Sequence, residues 1–122
     1  MTTVLIVDDS PTELHILQDM LSRNGFQTLI AEDGDSAIEQ ALEHTPDAIL
    51  MDVVMPGTNG FQATRQITRH PETASIPVIM VTTKDQATDK IWGMRQGATD
   101  YLTKPIAEKD LLNCINKALE AD

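Results

Sequence analysis

The chain has 122 residues, of which 41% are hydrophobic and 23% charged, and this suits one compact domain with a single core. Its net charge of −10 argues against nucleic acid as a direct partner. No apolar run is long enough to cross a bilayer and the first residues lack the basic start of a secretory signal. We therefore expect a cytoplasmic protein without membrane insertion.

The negative charge is concentrated in the first half of the chain. Residues 1–64 contain eleven acidic residues and one basic residue, whereas residues 65–122 contain eight of each. Chance and solubility explain this asymmetry as well as function does. The functional alternative is a field that attracts a divalent cation or selects a basic partner surface.

Apolar runs of strand length alternate along the chain with segments of helical period, which predicts βαβ units and a parallel sheet. The predicted strands end near residues 7, 31, 52, 82 and 103. Five helices are predicted. The first covers about residues 11–23, the second runs from the loop that ends at residue 34 to about residue 44, the third and fourth cover about residues 60–70 and 86–96, and the fifth lies in the final segment.

Local signals support the first and last helices. Ser10 is the predicted N-cap of the first helix, Glu13 completes a capping box, and Asn24-Gly25 ends the helix. The last helix is expected to bury one apolar stripe. Its members are Leu111, Leu112, Ile115, Ala118 and Leu119.

Four of the predicted strands lead into reactive side chains. The first ends at Asp8-Asp9, the third at Asp52, the fourth at Thr82 and the fifth near Lys104. In open α/β sheets, ligands bind outside the carboxyl ends of the strands. We therefore expect three carboxylates, a hydroxyl and an ammonium in one pocket, a set that suits Mg²⁺ and a phosphoryl group.

Each of these residues also has an ordinary explanation. Acids often cap a following helix, and Lys104 and Thr82 taken singly are typical surface and strand-end residues. Ser10 already fills the cap, however, and adjacent carboxylates near a third repel one another unless a cation is present. Asp52 could attack phosphorus and form an aspartyl-phosphate, with Lys104 stabilising the charge.

Together these residues resemble the receiver domain of two-component response regulators, over essentially the whole chain. The matching segments are Asp8-Asp9, Asp52 to Gly60, Thr82, Gly97 to Tyr101 and Lys104-Pro105. The resemblance implies an α/β, flavodoxin-like (βα)5 three-layer sandwich whose five-stranded parallel sheet has the order 2-1-3-4-5. It also implies a stand-alone, CheY-like receiver over residues 1–122, with no output domain.

The resemblance assigns roles to the pocket. Asp52 would accept a phosphoryl group from a phosphohistidine on a sensor histidine kinase. Asp9, Asp52 and the backbone carbonyl of Val54 would ligate Mg²⁺, with Asp8 acting mainly through water. Lys104 would pair with the phosphoryl group.

It also implies a switch and an output face. Thr82 would move toward the phosphoryl group, Tyr101 would change its exposure, and the face of the fourth helix, fifth strand and fifth helix would bind a downstream protein partner. Lys90 and Arg95 lie in this region; they form either a solvated helix face or a basic recognition face. For Trp92, core packing is the first interpretation and a partly exposed anchor the second.

Two further features bear on function. The segments 83–86 and 91–97 are most similar to regulators of type IV pilus twitching motility, which predicts a role in chemotaxis-like motility signalling. Val54, two residues after the predicted phosphoacceptor, has no polar group to orient water. We therefore predict a longer-lived phosphorylated form than Asn would give at this position.

Other functional classes remain. A phosphate sink without an output partner is also compatible with the sequence. An aspartate-nucleophile phosphatase usually has a second Asp at the position of Val54, and a flavin carrier would not place Asp8-Asp9 after its first strand. We therefore expect no enzyme activity beyond the protein's own phosphoryl transfer and autodephosphorylation.

Overall fold

Strands and helices alternate along residues 1–120, which are the residues described in a computed structural model of the chain. The strands are β1 (Thr3–Val7), β2 (Gln27–Ala31), β3 (Ala48–Met51), β4 (Val78–Thr82) and β5 (Asp100–Thr103). The helices are α1 (Pro11–Arg23), α2 (Gly34–His44), α3 (Gly60–Arg69), α4 (Ala87–Arg95) and α5 (Glu108–Glu120). These bounds differ from the predicted ones only at a few element ends.

The five strands form one parallel sheet in the order β2-β1-β3-β4-β5. This order confirms the predicted α/β, flavodoxin-like fold. Apart from Thr3 at the start of β1, the residues of β1, β3 and β4 are almost completely buried, as expected for parallel strands covered on both faces. Their continuous apolar runs are the sequence signature of that burial.

Two hydrophobic clusters cover the two faces of the sheet. Leu5 and Val7 of β1 pack in one cluster with residues of α2 and α3. Val4 and Ile6 pack in the other with residues of α1 and α5. Because successive side chains of a strand point to opposite faces, one strand supplies both cores and three layers result.

The first helix begins differently from the prediction. The Ser10 side chain accepts a hydrogen bond from the Glu13 N–H at 3.4 Å, so Ser10 is the N-cap. The reciprocal bond is absent among the described residues, because the Ser10 N–H donates to Asp8 Oδ1 at 2.9 Å. The predicted capping box is therefore only half formed, and the Glu13 carboxylate is released for another contact.

The predicted stripe of α5 is too wide. Leu111, Ile115 and Ala118 are buried, as expected. Leu112 is only half-buried and Leu119 is exposed. Residues 111, 115 and 118 share one face at helical spacing, and the other two leucines fall beside it.

None of the helices within residues 1–120 combines the length and apolar character that a bilayer span requires.

Candidate functional site

Backbone hydrogen bonds between neighbouring segments continue just beyond the ends of the strands and hold the site residues in position. The Asp52 N–H donates to the Val7 carbonyl at 3.0 Å, and the Lys104 N–H donates to the Thr82 carbonyl at 2.8 Å. Asp52 therefore stands beside the end of β1, and Lys104 beside the end of β4. As predicted, the residues after four strands converge at one edge of the sheet.

Three carboxylates meet at this edge. One oxygen from each of Asp8, Asp9 and Asp52 lies within 4.8 Å of the other two. Asp8 and Asp52 are buried, with 1% and 7% of their surface exposed, whereas Asp9 is exposed. Hard oxygen ligands at this spacing, open to solvent on one side, fit Mg²⁺, which keeps several waters and needs few carboxylates.

Lys104 is the cation of the site. Its Nζ lies 2.5 Å from Asp8 Oδ2, 3.7 Å from Asp52 Oδ2 and 3.9 Å from Glu13 Oε2, and only 9% of the side chain is exposed. Burial lowers the pKa of Lys104, but the hydrogen bond that Lys104 donates to Asp8 and the charges of the surrounding carboxylates outweigh it and raise that pKa. The ammonium therefore stays charged at neutral pH.

Asp52 is held in a setting that disfavours its charge. Burial is the main cause of its raised pKa, and the nearby Asp8 adds to it. The Lys104 charge, the Thr82 hydroxyl and the Val53 N–H oppose this increase. The last of these donates to Asp52 Oδ1 at 2.8 Å, so one carboxylate oxygen is oriented by the backbone.

The segment after β3 folds tightly against Asp52. A Cβ placed on Gly60 would lie 1.9 Å from the Asp52 carbonyl oxygen, so only glycine fits there. The Gly60 N–H donates to the Val53 carbonyl at 3.0 Å. In the segment between Asp52 and Gly60, the Val54 side chain points outward with 53% of its surface exposed.

A second chain of contacts leads away from the site. The buried Thr82 hydroxyl accepts a hydrogen bond from the Lys84 N–H at 3.4 Å, and the Tyr101 hydroxyl donates to the Lys84 carbonyl at 2.8 Å. Burial, followed by the charges of Asp89, Asp52 and Asp85, raises the pKa of Tyr101 to about 12. Lys84 thus connects the strand end to β5 through its backbone.

The predicted output residues lie on an exposed helix. Lys90 and Arg95 are exposed on α4, and 50% of the surface of Trp92 is in solvent. Core packing of Trp92, the first interpretation of the sequence, is therefore wrong. Two apolar neighbours, Ile91 and Met94, are also exposed, by 54% and 47%.

Sequence reasoning missed Glu13 as a neighbour of the site. The spacing of Glu13 from Ser10 predicts a role in helix capping instead. No local signal shows that Asp8 takes the Ser10 N–H and leaves Glu13 free to approach Lys104.

The sequence model of the family described as "Response regulator receiver domain" matches residues 4–116. The chain belongs to the response regulator receiver family. It is thus the CheY-like receiver domain of a two-component response regulator, and such a receiver implies a histidine kinase as its phosphoryl donor.

Several relatives resemble this receiver along its length. Protein PilH of Pseudomonas aeruginosa is 60% identical over 119 residues, which cover 98% of each chain. The structure of the chemotaxis protein CheY4 of Vibrio cholerae is 31% identical with a TM-score of 0.91, covering 98% of this chain and 99% of that one. The receiver domain of the sensor histidine kinase PA1611 of P. aeruginosa is 28% identical with a TM-score of 0.92, covering 98% and 94%, and is described with a magnesium ion in its active-site cleft.

Proposed function

We propose that this receiver accepts a phosphoryl group on Asp52 from the phosphohistidine of a sensor kinase and thereby changes its binding to a protein partner. The observation that carries the proposal is the position of the Asp52 carboxylate. It lies at the carboxyl edge of the sheet, beside Asp8 and Asp9 and 3.7 Å from the Lys104 ammonium. Family membership supports the choice of donor.

The chemistry follows from these groups. The phosphorus–nitrogen bond of the donor breaks as a bond forms from the free Asp52 oxygen to phosphorus, and the leaving imidazole takes up a proton. Asp52 Oδ1 is already held by the Val53 N–H, so Oδ2, the oxygen closer to Lys104, is the expected nucleophile. Lys104 then pairs with the phosphoryl oxygens, and the Thr82 hydroxyl donates to one of them.

Asp9, Asp52 and the backbone carbonyl of Val54 would hold Mg²⁺, with Asp8 acting through water. The spacing of the three carboxylates fits this role, and the magnesium described in the PA1611 receiver supports it. When bound, the ion supplies positive charge that offsets the negative charge of the phosphoryl oxygens. Asp8 keeps its other task, which is to hold Lys104 at 2.5 Å.

Intact-mass measurement tests the phosphoacceptor. Incubated with Mg²⁺ and acetyl phosphate, the wild-type protein should gain the mass of one phosphoryl group, and Asp52→Asn should gain none. Asp110→Asn, which changes an exposed acid of α5, is the matched control and should behave as wild type. A mass gain that persists in Asp52→Asn would contradict the proposal.

We also propose that the switch acts in type IV pilus twitching motility, which the 60% identity to PilH supports. Twitching zones of a strain lacking this protein test the idea. Wild type should restore the parental phenotype and Asp52→Asn should not, at equal protein level. Full restoration by Asp52→Asn would show that phosphorylation is not needed for this role.

The exposed surface of α4 is the proposed recognition face. Basic Lys90 and Arg95 accompany three exposed apolar side chains, a composition that suits a partner segment with acidic and apolar groups. The double reversal Lys90→Glu/Arg95→Glu should abolish function in the twitching assay while leaving the mass gain at Asp52 intact. The control, Arg65→Glu, changes an exposed base of α3.

Unchanged twitching in the double reversal would refute the recognition face and favour a phosphate sink. We propose no catalysis beyond the protein's own phosphoryl transfer and dephosphorylation. Val54 supports this limit, because it is exposed beside the acceptor and offers no acid–base group.

A further inference from the structure

Glu13 occupies an unusual position for a residue in the first turn of a helix. Its backbone N–H is held by the Ser10 hydroxyl, but its carboxylate does not cap the helix. Instead, Glu13 Oε2 lies 3.9 Å from Lys104 Nζ. The cause is Asp8, whose Oδ1 accepts a hydrogen bond from the Ser10 N–H. In a capping box, the glutamate would accept that bond.

Lys104 is consequently shared among carboxylates from three elements of the fold. Asp8 after β1 is the primary partner at 2.5 Å, and Asp52 after β3 and Glu13 of α1 lie at nearly equal distances of 3.7 and 3.9 Å. Asp8 and Asp52 already belong to the phosphoryl-transfer site. Glu13 contributes an additional negative charge that this chemistry does not require.

We propose that Glu13 is a positioning residue that attracts the Lys104 ammonium toward α1 and thereby slows phosphorylation of Asp52. This inference rests on the proposed function. Before transfer, Lys104 must leave its carboxylate partners to meet the incoming phosphoryl oxygens. Glu13 competes with those oxygens for the same ammonium.

The size of the effect follows from exposure. The Glu13 side chain is 37% exposed, and ion pairs that remain in contact with water contribute at most about 1 kcal/mol. Glu13→Gln, which keeps the shape of the side chain and removes its charge, should therefore accelerate phosphorylation about two- to five-fold.

The experiment measures the rate of mass gain with acetyl phosphate at saturating Mg²⁺, with saturation checked for each variant. Glu13→Gln should react faster than wild type. Glu32→Gln is the matched control, because it removes an exposed acid next to the end of β2, at the same edge of the sheet. Its rate should stay close to that of wild type.

A double-mutant cycle separates positioning of Lys104 from a general effect of charge. In a Lys104→Ala background, Glu13→Gln should no longer accelerate the reaction, because the ammonium on which Glu13 acts is gone. Equal acceleration in both backgrounds, or none in wild type, would overturn the inference. If wild type itself gains no mass, the proposed function fails instead, so the two failures are distinguishable.

Discussion

Asp52 is a carboxylate in a place where ionisation is unfavourable. Burial and the neighbouring Asp8 raise its pKa. An acid whose folded-state pKa lies above its unfolded value destabilises the fold increasingly as pH rises from the unfolded pKa toward the folded one. The reactive residue therefore reduces the stability of the protein that carries it.

This yields a prediction for Asp52→Asn. Removal of the buried charge should raise the melting temperature at pH 7 without Mg²⁺, by about 3–6 °C for a gain of about 1 kcal/mol at this chain length. Calorimetry measures it. Added Mg²⁺ should stabilise wild type more than the variant, and a lower melting temperature for Asp52→Asn would contradict the argument.

A second prediction concerns Val54, whose side chain is exposed beside the acceptor. Val54→Asn introduces a group that can orient water toward the phosphoryl group. It should accelerate dephosphorylation several-fold, measured by loss of the phosphorylated mass after removal of the donor. Val54→Ala is the control and should change the rate less; an unchanged or slower rate in Val54→Asn would refute the idea.

The main site residues could be predicted because they depend on the parallel direction of the strands, which the alternation of strands and helices indicates. Asp8 and Asp52 follow strands, and Thr82 ends one, and the carboxyl ends of parallel strands lie at the same edge of the sheet. The contact of Glu13 with Lys104 could not be predicted, since it depends on whether Asp8 or Glu13 accepts the hydrogen bond from the Ser10 N–H. That choice is made by side-chain geometry and leaves no pattern in the sequence.

At the scale of elements, α4 buries few of its side chains against the rest of the fold. Gly93 is its one buried residue, and the Tyr101 ring lies against it, so that a Cβ at Gly93 would be 3.1 Å from the ring. The same tyrosine bonds the Lys84 carbonyl after β4. The position of α4 and the loop that follows β4 are therefore coupled through one ring.

The third prediction tests this coupling. Helix propensity alone would make Gly93→Ala stabilising by about 1 kcal/mol, but the added methyl group crowds Tyr101. In a Tyr101→Ala background the stabilisation should appear in full, and in the wild-type background it should be reduced or reversed. Urea unfolding of the four proteins measures the difference; equal effects in both backgrounds would show that the ring is not displaced.

The same helix shows why one sequence interpretation failed. Trp92 is large and apolar, so a core position was the natural expectation. The inner face of α4 instead presents Gly93, which the Tyr101 ring approaches closely, and Trp92 lies on the exposed side. Because a glycine is the one buried residue of α4, this helix has no apolar periodicity from which its orientation could be predicted.

At the scale of the molecule, the sheet divides the core into two halves that share their strands. Adjacent residues of β1, Leu5 and Ile6, are both fully buried but lie in different halves. The alternation of side chains along a strand makes this division predictable once the strand is known. The order of strands came from the resemblance to a family, because many orders satisfy the same apolar runs.

The fourth prediction follows from this shared core. Leu5→Ala and Ile6→Ala should each lower the free energy of unfolding by about 2–5 kcal/mol, with a single transition in urea. Ile16→Ala, which truncates a side chain that is 42% exposed, should change it by less than about 1 kcal/mol. Two separate transitions would show that the halves unfold independently.

The half-exposed Trp92 has a practical consequence. It is the only tryptophan of the chain, and it stands on the element through which the output is proposed to pass. Its indole emission is sensitive to the polarity of its surroundings. The unlabelled protein therefore carries a fluorescent reporter at its proposed output face. Docking of a partner or displacement of α4 can be followed by the wavelength and intensity of that emission.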